Sequence, residues 1–393
     1  MSALKGAQGN VVSYSSNPRH FNFIFRRKIL ATVVASLALS AVSLPASATN
    51  WWNPTPTVTV GSTSINVRNM GAMGNGVTDD TAAFQAAINA LPSTGGTIVV
   101  PAGTYMINAL TGIVMHSHTR LSMDASAVLQ AIANNADRYW VIKAWNLNNV
   151  EIAGGSIVGE RTQHQGTTGQ WGYGINIEGS STVYVHDISI SNSWGDGVLV
   201  GATGWGSTAV LSSGVTLNNV KVSNNRRQGL TIAPATQVYV VNSTFNGSNG
   251  ITPQAGIDIE PQTQGTTQQV RLENTTLSNN VGNGLEVHDY VSGLALNQVT
   301  AENNQGYGVY IGSPNTVTIT NSNLSQNYLF GVDVAAVTNN VQITNNTIEW
   351  NGDAWFYAHG ISIFTPGWVP RDITIASTAT NVTQSGNTIS PQK

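Results

Sequence analysis

Along most of the chain a glycine is followed by an apolar, a variable and a second apolar residue. The pattern occurs as Gly174-Ile-Asn-Ile, Gly197-Val-Leu-Val, Gly229-Leu-Thr-Ile, Gly256-Ile-Asp-Ile, Gly284-Leu-Glu-Val, Gly308-Val-Tyr-Ile, Gly331-Val-Asp-Val and Gly360-Ile-Ser-Ile, at intervals of 23 to 32 residues. Between these repeats lie second alternating segments, among them Val183-Tyr-Val185 and Val317-Thr-Ile319. Short third segments follow, carrying Ile188, Val220, Phe245, Leu277, Val299, Leu324 and Ile348. Alternation with a period of two predicts strands. Strands this short cannot bury an apolar face alone, whereas parallel coils stacked on one another share a continuous interior column. The pattern therefore predicts an all-β chain, a single-stranded right-handed parallel β-helix, with coils over residues 111–390.

Turn chemistry agrees. Two residues beyond the second segment stand Asn219, Asn242, Asn274, Asn321 and Asn345, and asparagine tolerates the left-handed backbone that sharp corners need. Stacked amides at these positions can bond one another along the axis. Residues 65–110 behave differently. Asp80 precedes an amphipathic run with Phe84, Ala87, Ile88 and Leu91 on one face, which predicts an N-capped helix. Gly95-Gly96-Thr-Ile-Val-Val-Pro-Ala-Gly-Thr-Tyr105 then reads as strand, turn, strand. A helix here has a structural reason, because the first coil of a solenoid exposes an edge that would recruit other chains.

The stretch from Val67-Arg-Asn-Met-Gly through Asp79-Asp80-Thr-Ala-Ala-Phe-Gln-Ala-Ala-Ile to Val-Pro-Ala-Gly-Thr-Tyr105 resembles the N-terminal cap of the pectate-lyase superfamily of β-helix proteins. With the coils behind it, the resemblance covers residues 65 to about 390. It implies the fold and action on, or binding of, polysaccharide. It does not select a reaction, because that superfamily includes pectin hydrolases, lyases, alginate epimerases and phage tailspikes. Asp79 and Asp80 are assigned to capping.

Composition narrows the classes. Cysteine is absent, which excludes disulfide scaffolds, thiolate metal sites and thiol nucleophiles. Only 9% of residues are charged, so any local cluster of ionisable groups stands out against the rest of the chain. Arg26, Arg27 and Lys28 precede an apolar run at residues 29–44, and Pro45-Ala-Ser-Ala48 ends in the small-x-small pattern of a signal-peptidase site. The expected organisation is a leader at 1–48 cleaved after Ala48, a linker at 49–64, the cap at 65–110 and the coils. The mature chain is then secreted or periplasmic in a bacterium, with no membrane span. The leader contains five of the 16 basic residues and no acid, so 11 bases face 19 acids in the mature chain, a net charge of -8. An acidic surface excludes nucleic acid as partner. A monomer acting on a polysaccharide is expected.

The repeat also serves as a ruler. Residues at one offset from successive glycines should lie one coil apart, about 4.8 Å, on one face. The residue two past the glycine is flanked by apolar positions and must point outward. This column contains Asn176, Leu199, Thr231, Asp258, Glu286, Tyr310 and Asp333, and the column two residues further contains Glu178, Gly201, Ala233, Glu260, His288 and Gly312. Asp258, Glu260, Glu286 and His288 should thus form a square on the outer surface, with Asp289 beside it and Tyr310 on the next coil. Such crowding drives pKa values apart, so that one carboxyl can serve as acid while another serves as base. A calcium site is the competing reading, and the metal, if any, stays open.

Turn positions add Asp196, Arg226, Arg227, Trp171 and Trp194, the two indoles as platforms for sugar rings. Arg161 and His164 lie in a polar, glycine-rich insertion at residues 159–171 expected to overhang the same face. The catalytic signatures of the relatives do not transfer. Pectin hydrolases carry an Asp-Asp pair, a Gly-His-Gly and an Arg-Ile-Lys, where this chain has Trp194-Gly-Asp196-Gly and Ala358-His359-Gly360. Alginate epimerases carry Asp-Pro-His-Glu, where this chain has Asp258-Ile-Glu260-Pro261. The leading expectation is hydrolysis of a polysaccharide by Asp258, Glu260 and Glu286, assisted by His288 or Asp196. The alternatives are a lyase or C5-epimerase on a uronic polymer, and a carbohydrate-binding surface protein without chemistry.

Overall fold

The computed structural model describes residues 50–335, 337–352 and 372–390. The leader at 1–48, Ala358-His359-Gly360 and the repeat beginning at Gly360 lie outside them. The repeats become coils as expected. One face of the solenoid stacks Arg138–Trp145, Trp171–Glu178, Val198–Thr203, Leu230–Ile232, Ile257–Ile259, Leu285–Val287, Val309–Ile311 and Val332–Val334, all parallel. We call this the first face. A second face stacks Ser181–Ser191, Val210–Ser223, Ala235–Val241, Thr267–Glu273, Val291–Asn297 and Asn315–Thr320, and a third stacks shorter strands such as Thr244–Asn246 and Thr276–Ser278. The apolar positions flanking each variable residue are buried without exception from Ile175 to Val334 on the first face. At about 25 cal/mol per Å² of buried apolar surface, this shared column is the main stabilising term.

Among the described residues, the strand paired with Val332–Val334 on its C-terminal side is Ile373–Ile375. The reason lies in a ladder inside the turns. Asn280 donates to Asn304, Asn304 to Asn327, Asn327 to Asn351 and Asn351 to Asp372, at 2.9 to 3.1 Å and fully out of water. Asp372 supplies the next rung and so places Ile373 in the stack. The exposed Asn corners also behave as expected. Asn219, Asn242, Asn274, Asn321 and Asn345 all have φ between 46° and 57°, and Asn274 Nδ2 donates to Asn242 Oδ1 at 2.7 Å.

The cap helix runs Thr81–Asn89 with Phe84, Ala87 and Ile88 buried. Asp80 occupies the N-cap position as expected, but its side chain makes no capping hydrogen bond. Asp79 Oδ1 accepts from the Thr81 amide at 3.0 Å and from its hydroxyl at 2.6 Å. Asp80 turns back instead and accepts from the amides of Met73 and Gly74, at 2.7 and 3.1 Å, bracing the glycine-rich loop before it. Among the described residues no helix is long and apolar enough to cross a membrane.

Candidate active site

Parallel pairing on the first face puts Thr231 beside Asp258, Asp258 beside Glu286, Glu286 beside Tyr310 and Tyr310 beside Asp333. The outward column is therefore built as expected, and Asp258, Glu286 and His288 meet. Their ligand-type atoms all lie within 4.8 Å of one another. His288 Nε2 is 3.2 Å from Asp258 Oδ1 and 3.3 Å from Glu286 Oε1. Asn283 Nδ2 fixes the other side of Glu286 at 3.0 Å.

The square is not an open surface. Asp258 and Asp196 are fully buried although they point away from the apolar column. Longer side chains on neighbouring coils close over them. Gln228 Nε2 donates to Asp258 Oδ2, Thr231 Oγ1 donates to Asp196 Oδ2 at 2.8 Å, and Arg227 lies across the group. Arg227 Nη1 is 3.0 Å from Asp196 Oδ2 and its Nη2 is 2.6 Å from Glu260 Oε1, which makes it the shared counterion of two acids. Burial in low dielectric disfavours the charged form of a carboxyl. It pushes Asp196 up to about 6 against the pull of Arg227, and it raises Asp258 despite the hydrogen bond with His288. The bonds to Asp258 and Glu286 hold His288 well above the usual imidazole range. An imidazolium whose side chain is 42% exposed thus rests on a buried acid.

A cavity of about 450 Å³ opens beside this imidazole, lined by Asn283, Glu286, His288, Asp289, Tyr307 and Tyr310 among others. Asp289 and Tyr310 therefore reach the centre as expected. Asn283 and Tyr307 also line the cavity; each stands immediately before a coil glycine, the offset that Asp196 occupies, so the repeat contains a signal for them. The donor set does not fit calcium, which takes six to eight oxygens. Here one of the three donor groups is an imidazole nitrogen.

The expected sugar-binding residues of the turn region are arranged differently. Trp194 is sandwiched, with the His164 ring stacked on one side at 3.7 Å and the Arg226 guanidinium 3.8 Å from its centroid. That leaves little of either indole face open to a sugar. His164 Nδ1 is 2.9 Å from Glu160 Oε1, and both side chains are sealed from solvent. Arg161 donates to Asn224 O at 2.7 Å and to Asn249 Oδ1 at 2.5 Å, and Arg226 donates to Gly169 O at 2.8 Å. These four residues fasten the 159–171 insertion to the following coils. Trp171, at the strand edge, remains exposed, with Arg138 5.4 Å from its ring.

The sequence matches the family described as Rhamnogalacturonase A/epimerase, pectate lyase-like, over residues 64–310, and a right-handed β-helix region over residues 254–390. This chain belongs to that pectate lyase-like family. Among curated relatives, the protein YclG of Bacillus subtilis is 27% identical over 356 residues, which is 82% of this chain and 59% of that protein. Plasmin and fibronectin-binding protein A of Streptococcus pneumoniae is 26% identical over 51% of this chain and 28% of its own length. The chain thus spans less than two thirds of these relatives. Solved structures with the same fold include the A-module of mannuronan C-5 epimerase AlgE6 from Azotobacter vinelandii. It has a TM-score of 0.61 and 20% identity, covering 83% of this chain and 93% of that one. A second is an exopolygalacturonase from Thermotoga maritima, with a TM-score of 0.57 and 13% identity over 86% and 94%.

Proposed function

We propose that this chain is a secreted glycoside hydrolase that cleaves a polysaccharide lying along the first face, with Asp258, His288 and Glu286 as its reacting groups. The observation that carries this reading is the position of His288, a half-exposed imidazole 3.2 and 3.3 Å from the carboxyls of Asp258 and Glu286 at the rim of a cavity. The protonated ring can pass its proton to the glycosidic oxygen as the bond to the anomeric carbon breaks, while Asp258 holds the ring in place. Glu286, which bonds the same imidazole at 3.3 Å and lines the cavity, is the carboxylate placed to attack the anomeric carbon. His288 then recovers a proton from the water that releases the glycosyl group from Glu286. Asp196 and Glu260, both bonded to Arg227, position this centre.

The guanidiniums support hydrolysis over proton abstraction at C5. A lyase or epimerase neutralises the uronate carboxylate at the reacting sugar, and Arg161, Arg226 and Arg227 are all engaged elsewhere. The rival reading keeps one observation in its favour, since Tyr307 and Tyr310 line the cavity beside His288 and could carry a proton. Products decide. With a panel of neutral and acidic polysaccharides, hydrolysis gives new reducing ends without ultraviolet absorbance, elimination gives an absorbing unsaturated sugar, and epimerisation leaves polymer length unchanged. Normal turnover by a folded Glu286→Gln variant would remove the assignment. Retention of polymer with no chemical change would instead favour an adhesive surface protein.

A further inference from the structure

Each carboxyl beside His288 has one oxygen tied down and one left over. Gln228 Nε2 donates to Asp258 Oδ2, and Asn283 Nδ2 donates to Glu286 Oε2 at 3.0 Å. The remaining oxygens, Asp258 Oδ1 and Glu286 Oε1, converge on a single ring nitrogen, His288 Nε2, at 3.2 and 3.3 Å. Charge-assisted hydrogen bonds between such groups run to about 2.7–2.9 Å, and one N–H cannot point along both contacts at once. Asp258 is fully buried, and its Oδ1 has no well-aligned donor. A carboxylate oxygen sealed from water in this state carries a desolvation cost that a cation beside it would offset.

The separations match a different occupant of the space between the three groups. Donors about 2.0 Å from a tetrahedral ion of the zinc type stand about 3.3 Å apart, which is the spacing between Nε2 and each carboxylate oxygen. One ligand atom from each residue lies within 4.8 Å of the other two, so a small rotation of Glu286, the more exposed carboxylate, closes the third edge. The Gln228 and Asn283 amides orient the carboxylates from behind, as outer partners of metal ligands do. On the open side His288 and Glu286 line the cavity of about 450 Å³, which leaves an entry path and a fourth position for water. One imidazole with two carboxylate oxygens suits a first-row transition ion. His186 shows what the arrangement requires. It too lies between two acids, but Asp187 meets its Nδ1 at 2.7 Å and Glu151 its Nε2 at 3.2 Å, so no single ion reaches all three.

We infer that Asp258, Glu286 and His288 form a binding site for one divalent transition-metal ion of the zinc type, and that the bound ion switches the reaction centre off. The second half rests on the hydrolytic reading; the first does not. An ion on Nε2 takes the place of the proton that His288 gives to the leaving oxygen, that proton passing to solvent. It also engages the Glu286 oxygen that attacks the anomeric carbon. Turnover then falls as the concentration of free ion rises, and returns when the ion is withdrawn.

Calorimetric titration of the untagged full chain with zinc chloride, after stripping with EDTA, tests the site. One ion should bind per chain. His288→Ala and Glu286→Gln, shown by circular dichroism to be folded, should each weaken binding by more than about tenfold, and Asn283→Ala by about tenfold, the usual loss for an outer partner. His186→Ala should bind like the parent. Cobalt(II) in place of zinc should give the visible absorption of a four-coordinate ion, a signature that needs neither a variant nor activity. With a polysaccharide that the metal-free chain cleaves, zinc should inhibit in step with occupancy and EDTA should restore the rate. No binding, binding that survives in both His288→Ala and Glu286→Gln, or turnover that is unchanged or raised in the zinc-saturated chain overturns the inference. If the metal-free chain cleaves nothing, the hydrolytic reading fails, while the titration and the cobalt spectrum still decide the site.

Discussion

His288 and His164 each rest against a fully buried carboxylate, Asp258 in one case and Glu160 in the other. The His288 side chain is 42% exposed, and the His164 side chain is 1% exposed beneath the Trp194 ring. The same pair of residue types therefore performs two tasks. On the straight first face, the imidazole stands at the rim of a cavity and can exchange a proton with a ligand. In the turn, it is closed in by an indole and can only hold the insertion in place. Access to solvent, not the presence of an acid and a base, separates the reactive pair from the fastening pair.

The sharpest way to break this comparison is to remove each ring in turn. His288→Asn should lower turnover by about 10² to 10⁴, the range for losing a general acid, with circular dichroism unchanged. His164→Asn should leave turnover per folded molecule close to the parent. The support beneath the centre comes next. Arg227→Met strands Asp196 and Glu260 without their counterion, and breaking a buried ion pair on one side costs about 3 to 5 kcal/mol, read from urea unfolding. His164→Ala should cost about 3 kcal/mol in the same measurement, because it empties a stacked position and takes a hydrogen bond from buried Glu160. His288→Ala should cost less than that, because its ring is half open to water, although it too takes a hydrogen bond from a buried acid, Asp258.

The smallest effect concerns pH. Asp196 titrates at about 6 in the folded chain and near 3.9 when unfolded. Its folded-state value is raised, so the contribution is complete below about pH 4 and is lost as pH rises through 6. An Asp196→Asn variant should therefore show a shallower fall of melting temperature between pH 4 and 7 than the parent. An equal slope would mean that Arg227 compensates the Asp196 charge fully.

Why the column was legible and the depth was not follows from the geometry of coils. A strand flanked by two apolar residues has only one way to turn its middle side chain, so Asp258, Glu286 and Tyr310 fall in line from spacing alone. Whether the middle residue meets water depends on the reach of side chains one coil away. Gln228, Thr231 and Arg227 bury Asp258 and Asp196, while Asn283 and His288 leave a rim open. Trp194 reads as a platform and is instead clamped between His164 and Arg226, because which face of a turn side chain stays open depends on the segments packed over it. The inner asparagines had a signal, since Asn225, Asn280, Asn304 and Asn327 each stand four residues before a coil glycine.

The inner ladder has a direction. Every side-chain amide from Asn280 to Asn351 hands its proton to the coil that follows, so their dipoles add, with the positive end facing the C-terminal coils. Asp372 offers oxygens only, so its carboxylate meets that positive end and, through its second oxygen, accepts the Ser390 amide at 2.8 Å. The polarity of the row is thus neutralised by an anion at the point where the amides run out.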